Sequence, residues 1–410
     1  MKTVRHFFSW KNGYAGFILL GLTCLIYLLT NFINHRFWLL DFEVYYKAAG
    51  RILEAKNLYA IPEDGHFIFK YSPVSAVYFI PFAFFSFSTA KIIYLIFLSG
   101  IIVYSFYLCI RLFAPQLLQD EKWGKINTLV LIVTATLAIH YLRELDLGQV
   151  NYLLFFLFLL SLLLLKKNKW MLFALVLAIS LYIKPYALIF IPYLLLKKRY
   201  RETAFFILSV AILSLLPILF YRSFDFTVAQ YQAWFTELKI ELGNKQDLLA
   251  PHNHTLFSVI ARYTPFRFIA ENKIATLIYQ GIMLAAIAFL TWIFVSRKNN
   301  KPIEIPTQEN LSLDFAWLVA LIPLLASTSE NAFVFEQMAL FVVLINFKSF
   351  KPFGKTVLII ALILIGMNFG EAWGETISHF MNDQSLITVG TLFLLSLFFI
   401  MRKKNGKWDN

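Results

Sequence analysis

The sequence predicts an all-α protein that crosses a membrane many times. The chain of 410 residues is 59% hydrophobic and 15% charged, with a mean hydropathy of +0.67. Soluble domains average about 45–50% apolar and about 25% charged residues. The apolar residues form runs of about 15–25 residues, which is the length a helix needs to cross a bilayer. Because these runs are continuous rather than alternating, they exclude a membrane β-barrel.

The apolar runs divide the chain into candidate spans joined by polar connections. They are residues 14–33, 91–113, 126–142, 151–165, 170–183, 185–196, 203–221, 273–296, 313–326, 333–347, 355–369 and 385–401. Residues 73–87 are also apolar, but a crossing there would invert every later loop, so we interpret them as a short juxtamembrane or re-entrant helix. Pro185 follows Lys184 and predicts a break between two spans, because proline removes a backbone donor.

The distribution of positive charge predicts the orientation of the chain. A net charge of +13 is typical of nucleic-acid-binding proteins, but here the basic residues are clustered between spans, so no nucleic-acid partner is expected. The positive-inside rule assigns such clusters to the cytoplasm. The clusters are Lys2/Arg5/Lys11, Lys166/Lys167/Lys169, Lys197/Lys198/Arg199/Arg201, Arg297/Lys298/Lys301, Lys348/Lys351/Lys355 and Arg402/Lys403/Lys404/Lys407. We therefore expect a multi-pass protein of the cytoplasmic membrane, surrounded by its lipids, with both termini cytoplasmic.

The opposite face receives nearly all of the other polar residues. Its two long loops are about residues 34–72 and 222–272, and its shorter loops hold residues 142–151 and 327–331. This asymmetry predicts an active site that faces outward. No linker or low-complexity segment divides the chain, so we expect one integral membrane domain over residues 1–410.

Asp41 is the first candidate site residue, because it follows the first apolar run at the predicted boundary of lipid and water. Aspartate is a favoured N-cap, so it could cap a helix from about Phe42 to Ala55. A carboxylate here could also be a general base for an attacking hydroxyl. The residues alone leave both interpretations open, and one side chain can serve both in different states.

Short motifs follow Asp41 in an order that resembles glycosyltransferase family 87. They are Tyr45-Tyr46 with Ala48-Ala49, Asn57-Leu58-Tyr59, Phe69-Lys70-Tyr71-Ser72-Pro73, Leu147-Gly148-Gln149-Val150-Asn151, Lys184-Pro185, and His254-Thr255-Leu256-Phe257 with Arg262. Members of this family are polyprenyl-phosphate-mannose-dependent mannosyltransferases of GT-C fold. The resemblance spans about residues 10–265. The family's late Ser-Pro…Trp…His-His stretch is replaced here by residues 327–333, Ser-Thr-Ser-Glu-Asn-Ala-Phe, which indicates a different sugar or acceptor.

The resemblance implies a GT-C fold of about twelve transmembrane helices, with juxtamembrane helices in the first outer loop. The implied reaction is the inverting transfer of a hexose, with mannose expected, from a polyprenyl phosphate to a lipid-linked or glycan acceptor on the extracytoplasmic face of the membrane. Asp41 would be the catalytic base. Lys184, Arg262 and His254 would bind the donor phosphate. The expected sugar and acceptor contacts are Tyr45, Lys70, Tyr71, Arg143, Gln149, Asn151 and Glu330. No metal or other cofactor is expected.

Each basic candidate also has an ordinary structural interpretation. Lys184 could extend its ammonium to the interface instead of contacting a phosphate. Arg143 could pair internally, since Glu144 and Asp146 are its neighbours in sequence. Arg262 competes with both for the phosphate.

The uncharged polar candidates are equally ambiguous. Gln149 and Asn151 could cap the span that they precede or bind sugar hydroxyls. His252 and His254 could belong to a metal site, but no third ligand is adjacent, so hydrogen bonding or a plain loop role is favoured. Glu336 lies in an apolar stretch and is an unassigned candidate, because acidic residues inside membranes are usually functional.

Two other classes of membrane protein compete with a transferase. A flippase or transporter of lipid-linked sugars would show inverted repeats with helix breaks in matched positions, and the only predicted break is at Lys184-Pro185. An oligosaccharide polymerase or ligase would concentrate arginine and histidine in one large late outer loop, whereas the charged outer loops here are early and central.

Overall fold

Helices form all of the regular secondary structure in the part of the chain that the structure describes. This computed structural model describes residues 10–11, 13–65, 67–244, 248–250, 253–296, 308–326, 329–368 and 373–404. The all-α prediction is confirmed for these residues. The chain divides into two compact units, so the single domain over residues 1–410 stays a prediction. The Asp41 unit contains Ile18–Leu108 and Tyr141–Lys245, and the His254 unit contains Met1–Phe17, Cys109–His140 and Gln246–Asn410.

The helices follow the apolar runs of the sequence closely. In chain order they are α1 (Ala15–Ile33), α2 (Leu40–Leu53), α3 (Pro73–Tyr78), α4 (Ile80–Ala83), α5 (Phe87–Phe113), α6 (Pro115–Gln119), α7 (Trp123–Thr136), α8 (Ala138–Leu147), α9 (Asn151–Lys166), α10 (Trp170–Ile183), α11 (Phe190–Leu196), α12 (Tyr200–Leu213), α13 (Ile218–Tyr221), α14 (Phe224–Asn244), α15 (Leu256–Tyr263), α16 (Lys273–Ser296), α17 (Gln308–Leu325), α18 (Glu336–Ile345), α19 (Pro352–Gly366), α20 (Glu375–Asp383) and α21 (Leu386–Lys404). Short 3-10 helices lie at Pro62–Asp64, Pro185–Ile189, Pro265–Glu271, Ser329–Phe335 and Phe347–Ser349.

Several of these helices are suited to crossing a membrane. Among the described residues, α1, α5, Tyr200–Tyr221 and α16 are each long and apolar enough to do so alone. Two bent pairs, α7 with α8 and α20 with α21, bring this number to six if each pair is one span. Shorter apolar helices of 10–17 residues lie where the other spans are predicted. The chain is therefore a multi-pass membrane protein, while the count of twelve spans stays a prediction.

The helix breaks agree with the sequence only where proline marks them. Helix α10 ends at Ile183, Lys184 is extended, and Pro185–Ile189 forms a 3-10 turn, as the proline predicts. The bends of 67° between α7 and α8 and 65° between α20 and α21 were not predicted, since neither junction contains proline or glycine. Residues 73–87 form the short helices α3 and α4 and the start of α5, and neither α3 nor α4 is long enough to cross a membrane.

In the Asp41 unit, α2 packs against α3, α4 and α13, and α10 packs against α9 and α12. The buried face of α2 repeats with helical spacing and consists of Phe42, Val44, Tyr45, Ala48, Ala49 and Ile52. Burying a side chain such as Phe42 stabilises the fold by about 1.5–3 kcal/mol. This face fixes the rotation of α2 about its axis, and with it the direction of Asp41.

Within the Asp41 unit, the first predicted outer loop contacts the part of the second that belongs to this unit. That part is not an irregular loop, because α14 fills most of it. In the first loop, Arg51 makes two hydrogen bonds of 2.6 Å with Asp64. From α14, Gln230 accepts a hydrogen bond from the Leu58 amide at 2.9 Å. These contacts fix the polypeptide that leads from α2 to Tyr71.

In the His254 unit, α19 packs against α21, and α18 packs against α7, α17 and α21. A buried ion pair joins Arg402 on α21 to Asp314 on α17. The Arg402 guanidinium also donates to the Phe294 carbonyl at 3.0 Å and to Asn310 at 3.1 Å. Removing one partner of such a pair costs about 3–5 kcal/mol, because the other charge stays buried. The pair therefore fixes the relative position of these two helices.

Candidate active site

Asp41 lies in the first turn of α2. The helix starts at Leu40, and its N-cap residue is Leu39, in the left-handed conformation with φ 47° and no side-chain cap. The prediction that Asp41 caps a helix beginning at Phe42 is therefore wrong. Asp41 still benefits from the positive end of the helix dipole, which stabilises negative charge. Its carboxylate is half-buried and accepts a hydrogen bond from Nε2 of Gln149.

Gly148 allows Gln149 to reach Asp41. Its φ is +66°, in the left-handed region that favours glycine, and a Cβ built there would lie 2.8 Å from the Cβ of Phe42 on α2. Both the conformation and the close approach therefore require glycine. The sequence motif around Gly148 thus has a structural reason: it lets the loop before α9 lie directly on the helix that carries Asp41.

The backbone of Gln149 is fixed by hydrogen bonds at both of its polar groups. Its amide donates to the Glu144 carbonyl at 3.0 Å, and its carbonyl accepts from the Tyr94 hydroxyl at 3.0 Å. The N-cap of α9 is Val150, so Gln149 does not cap that helix. The capping interpretation of Gln149 is therefore wrong, and its side chain is positioned for Asp41.

The side-chain oxygen of Gln149 is available to a substrate. A carboxylate only accepts hydrogen bonds, so the Gln149 amide must turn its NH₂ group toward Asp41 and its oxygen away. Within the described residues, this Oε1 is buried and has no hydrogen-bond partner. A buried acceptor left in this state costs about 1–3 kcal/mol. A hydroxyl of a sugar or acceptor would remove that cost.

Tyr45 and Tyr71 contact each other in the same unit as Asp41. Tyr45 lies one helical turn after Asp41, and its hydroxyl is 2.8 Å from that of Tyr71. Tyr59 donates to the Tyr71 carbonyl at 2.6 Å, and the Tyr45 ring stacks on Phe79 at 4.6 Å. These contacts hold both predicted tyrosines in place.

The two tyrosines stay protonated. Burial raises the pKa of Tyr45 well above its usual value, and the neighbouring Tyr71 and the negative charge of Asp41 raise it further. Burial and then Asp41 also raise the pKa of Tyr71. Because both phenols remain neutral, neither can act as a base at neutral pH. They can donate hydrogen bonds to a substrate or to each other.

Lys184 belongs to a buried polar network that begins at Glu144. The Lys184 ammonium donates to Oδ1 of Asn151 at 2.7 Å, and Nδ2 of Asn151 donates to Glu144 at 2.7 Å. The Tyr152 amide donates to the other Glu144 oxygen at 3.0 Å. Glu144 and Asn151 are each only 1% exposed. A lysine that extends to the interface does not bind a buried amide, so the snorkelling interpretation of Lys184 is not supported.

Lys70 and Arg143 have other surroundings. The Lys70 carbonyl accepts a hydrogen bond from the Trp234 indole at 3.2 Å. Arg143 lies on α8 close to Asp146, whose carboxylate also interacts with Arg36. This arrangement favours the interpretation of Arg143 as an internal charge partner. Sugar or acceptor binding by Lys70 and Arg143 stays a prediction.

His254 and Arg262 belong to the His254 unit, where they meet Ser385 at the bend between α20 and α21. Nδ1 of His254 is 2.8 Å from the Ser385 hydroxyl, to which Arg262 also donates. Arg262 donates further to the Asp383 carbonyl at 2.8 Å and to the Asn253 carbonyl at 3.3 Å. Partial burial lowers the pKa of Arg262. These contacts secure the bend at Ser385, and phosphate binding by either residue stays a prediction.

The acidic and metal-site candidates of the late chain are only partly described. The side chain of Glu330 and the whole of His252 lie outside the described residues. Glu336 is fully buried at the start of α18. No group of three or more His, Cys, Asp or Glu in the described ranges could hold a metal ion.

Sequence reasoning missed Glu144 and Ser385 as members of these clusters. Glu144 is considered in the sequence only as a possible partner of Arg143, because it lies in a polar segment with Arg143 and Asp146 and nothing there indicates that its carboxylate is buried. For Ser385 no signal exists, because the bend before α21 lacks proline and glycine.

The chain is thus a multi-pass membrane protein in which one short segment, from Glu144 to Asn151, contacts both Asp41 and Lys184. The family model of glycosyltransferase family 87 matches residues 69–328. This match covers more than half of the 410 residues, so the chain belongs to glycosyltransferase family 87 and is a membrane glycosyltransferase. The resemblance seen in the motifs is thereby confirmed. No curated protein matches the chain.

The matched segment contains most of the candidate site. Lys70, Tyr71, Arg143, Gln149, Asn151, Lys184, His254 and Arg262 lie within residues 69–328, whereas Asp41 and Tyr45 precede it and Glu330 follows it. Asp41 is nevertheless joined to the matched segment by its hydrogen bond from Gln149.

Proposed function

We propose that this glycosyltransferase transfers a hexose, with mannose expected, from a polyprenyl phosphate to a lipid-linked or glycan acceptor at the extracytoplasmic face. In this proposal the protein has the GT-C fold with about twelve spans, and Asp41 is the general base of a single inverting displacement. Lys184 contacts the donor phosphate. Tyr45, Tyr71 and Gln149 contact the sugar or the acceptor.

One observation carries this proposal: the loop from Glu144 to Asn151 holds both Asp41 and Lys184. At one side, Gln149 donates to Asp41, and at the other, Asn151 accepts from Lys184 at 2.7 Å. Glu144 connects the two sides, since its carbonyl binds the Gln149 amide and its carboxylate binds Asn151. Contact with one short segment would keep a base and a cation in a fixed relative position, which favours transfer from a phosphate leaving group.

The proposed displacement exchanges one bond of the anomeric carbon for another and moves charge to the phosphate. The acceptor hydroxyl gives its proton to Asp41, and its oxygen forms a bond to the anomeric carbon. The bond from that carbon to the phosphate oxygen breaks, and its electron pair leaves with the polyprenyl phosphate. The phosphodiester donor carries one negative charge, and the phosphomonoester product carries a second. Lys184 would stabilise this developing charge, which is where a fixed cation accelerates a reaction most.

The stereochemical outcome follows from the number of displacements. One in-line attack inverts the anomeric carbon, and a retaining route would need a second carboxylate as nucleophile. Glu144 is an acidic residue of this segment, but both of its oxygens are already hydrogen-bonded to protein groups and its side chain is buried. These contacts support a single displacement with Asp41 as the base.

Mass spectrometry of membrane glycolipids would test the proposal. Cells lacking the protein should lose one hexose from a glycolipid or glycan and accumulate the acceptor, and Asp41→Asn cells should show the same change. Purified protein should transfer the sugar from a synthetic polyprenyl phosphate hexose and give the inverted anomer. Transfer only from a nucleotide sugar would refute the donor assignment. An unchanged glycolipid profile with an altered distribution across the membrane would indicate a flippase instead.

A further inference from the structure

Glu144 has a buried carboxylate for which the proposed displacement has no use. Its side chain is almost completely inaccessible, and each of its two oxygens accepts one hydrogen bond, from Nδ2 of Asn151 and from the Tyr152 amide. A buried carboxylate is costly unless it is well satisfied. Glu144 therefore needs both of these donors, and its position at the end of α8 fixes where Asn151 can lie.

Asn151 lies between two neighbours with opposite requirements. The carboxylate of Glu144 accepts hydrogen bonds only, and the ammonium of Lys184 donates only. The Asn151 amide must therefore turn its NH₂ group to Glu144 and its oxygen to Lys184, at 2.7 Å in each case. The reverse orientation would place donor against donor at one end and acceptor against acceptor at the other. This arrangement fixes the amide without any further contact.

We propose that Glu144 is a positioning residue that fixes the Asn151 amide and thereby directs the Lys184 ammonium to the donor phosphate. This inference rests on the proposed role of Lys184. Glu144 touches no reacting atom. It keeps the oxygen of Asn151 turned to one hydrogen of the ammonium, so that the ammonium can direct another hydrogen to the phosphate.

The variant Glu144→Gln tests this because its hydrogen bonds conflict whichever way they are arranged. The amide of the new side chain offers one acceptor and one donor group where the carboxylate offered two acceptors. If its oxygen binds the Tyr152 amide, its NH₂ group meets the NH₂ group of Asn151. If Asn151 turns over, its own NH₂ group meets the ammonium of Lys184. One hydrogen bond to a charged group is lost in either case.

The double variant Glu144→Gln with Asn151→Asp removes the conflict. The glutamine oxygen accepts from the Tyr152 amide, its NH₂ group donates to one oxygen of the new aspartate, and the other oxygen accepts from Lys184. The number of carboxylates is unchanged, and every hydrogen bond of the wild-type network has a counterpart. The exchange therefore restores the position of the ammonium without restoring Glu144.

The experiment measures binding of sugar-free polyprenyl phosphate to the purified full-length protein, together with its unfolding temperature without lipid. We expect Glu144→Gln to weaken lipid binding about tenfold to a hundredfold, as for the loss of one hydrogen bond to a charged group. The double variant should bind close to wild type. Adding Glu144→Gln to Lys184→Ala should weaken binding no further, because residues in one network are not additive. Glu54→Gln is the control, since that side chain is 60% exposed and forms a surface ion pair with Lys56.

The outcomes separate this inference from the proposed function. Recovery of both unfolding temperature and lipid binding in the double variant supports the positioning role. Recovery of the unfolding temperature alone, or of neither, overturns it. Wild-type lipid binding by Glu144→Gln also overturns it. If Lys184→Ala itself binds as wild type, the phosphate contact of Lys184 fails and the positioning role fails with it. Turnover of the wild type with a sugar-loaded donor independently reports whether the proposed reaction occurs.

Discussion

Replacing Asp41 with asparagine separates catalysis from folding. The asparagine keeps the size of the side chain, and its oxygen can still accept the hydrogen bond from Nε2 of Gln149. The neutral side chain loses its interaction with the helix dipole, worth about 0.3–1 kcal/mol. The hydrogen bond also becomes a neutral one, which contributes about 1 kcal/mol rather than about 1.5–3. The folded state of Asp41→Asn should therefore lose about 1–3 kcal/mol and persist.

Asp41→Asn should lose more transition-state stabilisation than free energy of unfolding. General base catalysis contributes about 10²–10⁴ to the rate, which corresponds to about 2.7–5.5 kcal/mol of transition-state stabilisation. The asparagine oxygen cannot take the acceptor's proton at neutral pH, and Tyr45 and Tyr71 stay protonated, so no neighbouring phenol replaces it. We expect kcat to fall by about 10²–10⁴, with little change in KM for the donor.

The assay compares turnover and monodispersity of purified wild type, Asp41→Asn and Glu43→Gln. Glu43 is the matched control, because it lies in the same first turn of α2 but pairs with Lys47 at 2.7 Å and is partly exposed. An exposed pair of this kind contributes about 0–1 kcal/mol. Near wild-type turnover in Asp41→Asn would remove Asp41 from the mechanism. Equal losses of turnover in Asp41→Asn and Glu43→Gln would show that the effect comes from removing negative charge at the start of α2.

Four further outcomes are expected. Lys184→Ala should raise KM for the donor about tenfold to a hundredfold, with the acceptor KM little changed, and Lys184→Arg should recover part of the loss because it keeps the charge; equal changes in both constants would argue against a phosphate contact. A reporter fused after residue 60 should be active only in its extracytoplasmic form, and one after residue 300 only in its cytoplasmic form; the same side for both would refute the predicted topology. EDTA should leave turnover unchanged, whereas loss with rescue by a divalent ion would assign the phosphate to a metal. Gly148→Ala should lower kcat with modest loss of stability, because a Cβ 2.8 Å from that of Phe42 would push Gln149 away from Asp41; unchanged kcat would show that this contact is dispensable.

The sequence was sufficient to predict the helical class and the positions of most helices. Long apolar runs permit little besides membrane helices, so the ends of α1, α10 and α16 fall close to the predicted limits. The proline at position 185 also marked a real break. The junctions before α8 and α21 contain neither proline nor glycine, so the sequence carries no signal for these bends. Several apolar helices are shorter than a full span, so the count of twelve crossings stays a prediction.

The candidate site was predictable as a set of residues but not as a network. Asp41, Gln149, Asn151 and Lys184 were all singled out, because polar residues beside apolar runs are few. Their pairing was not predictable, since Gln149 reaches Asp41 across 108 positions of sequence. The N-cap assignment of Asp41 failed because Leu39 adopts the left-handed conformation and the helix begins earlier than polar capping rules indicate.

The hydrogen bonds of the loop from Glu144 to Asn151 also suggest why Asp41 and Lys184 are positioned by the same segment. In the proposed transfer Asp41 would gain a proton and become neutral, while the phosphate beside Lys184 would gain a negative charge. The two changes are opposite and simultaneous, and at a partly dehydrated boundary each unit charge interacts more strongly than in water. If the loop moved when Asp41 became neutral, it would shift Lys184 away from the phosphate. If it moved when the phosphate gained charge, it would shift Asp41 away from the acceptor. The loop resists such shifts, because Gly148 packs it on α2 and the two acceptor oxygens of Glu144 secure it to the start of α9.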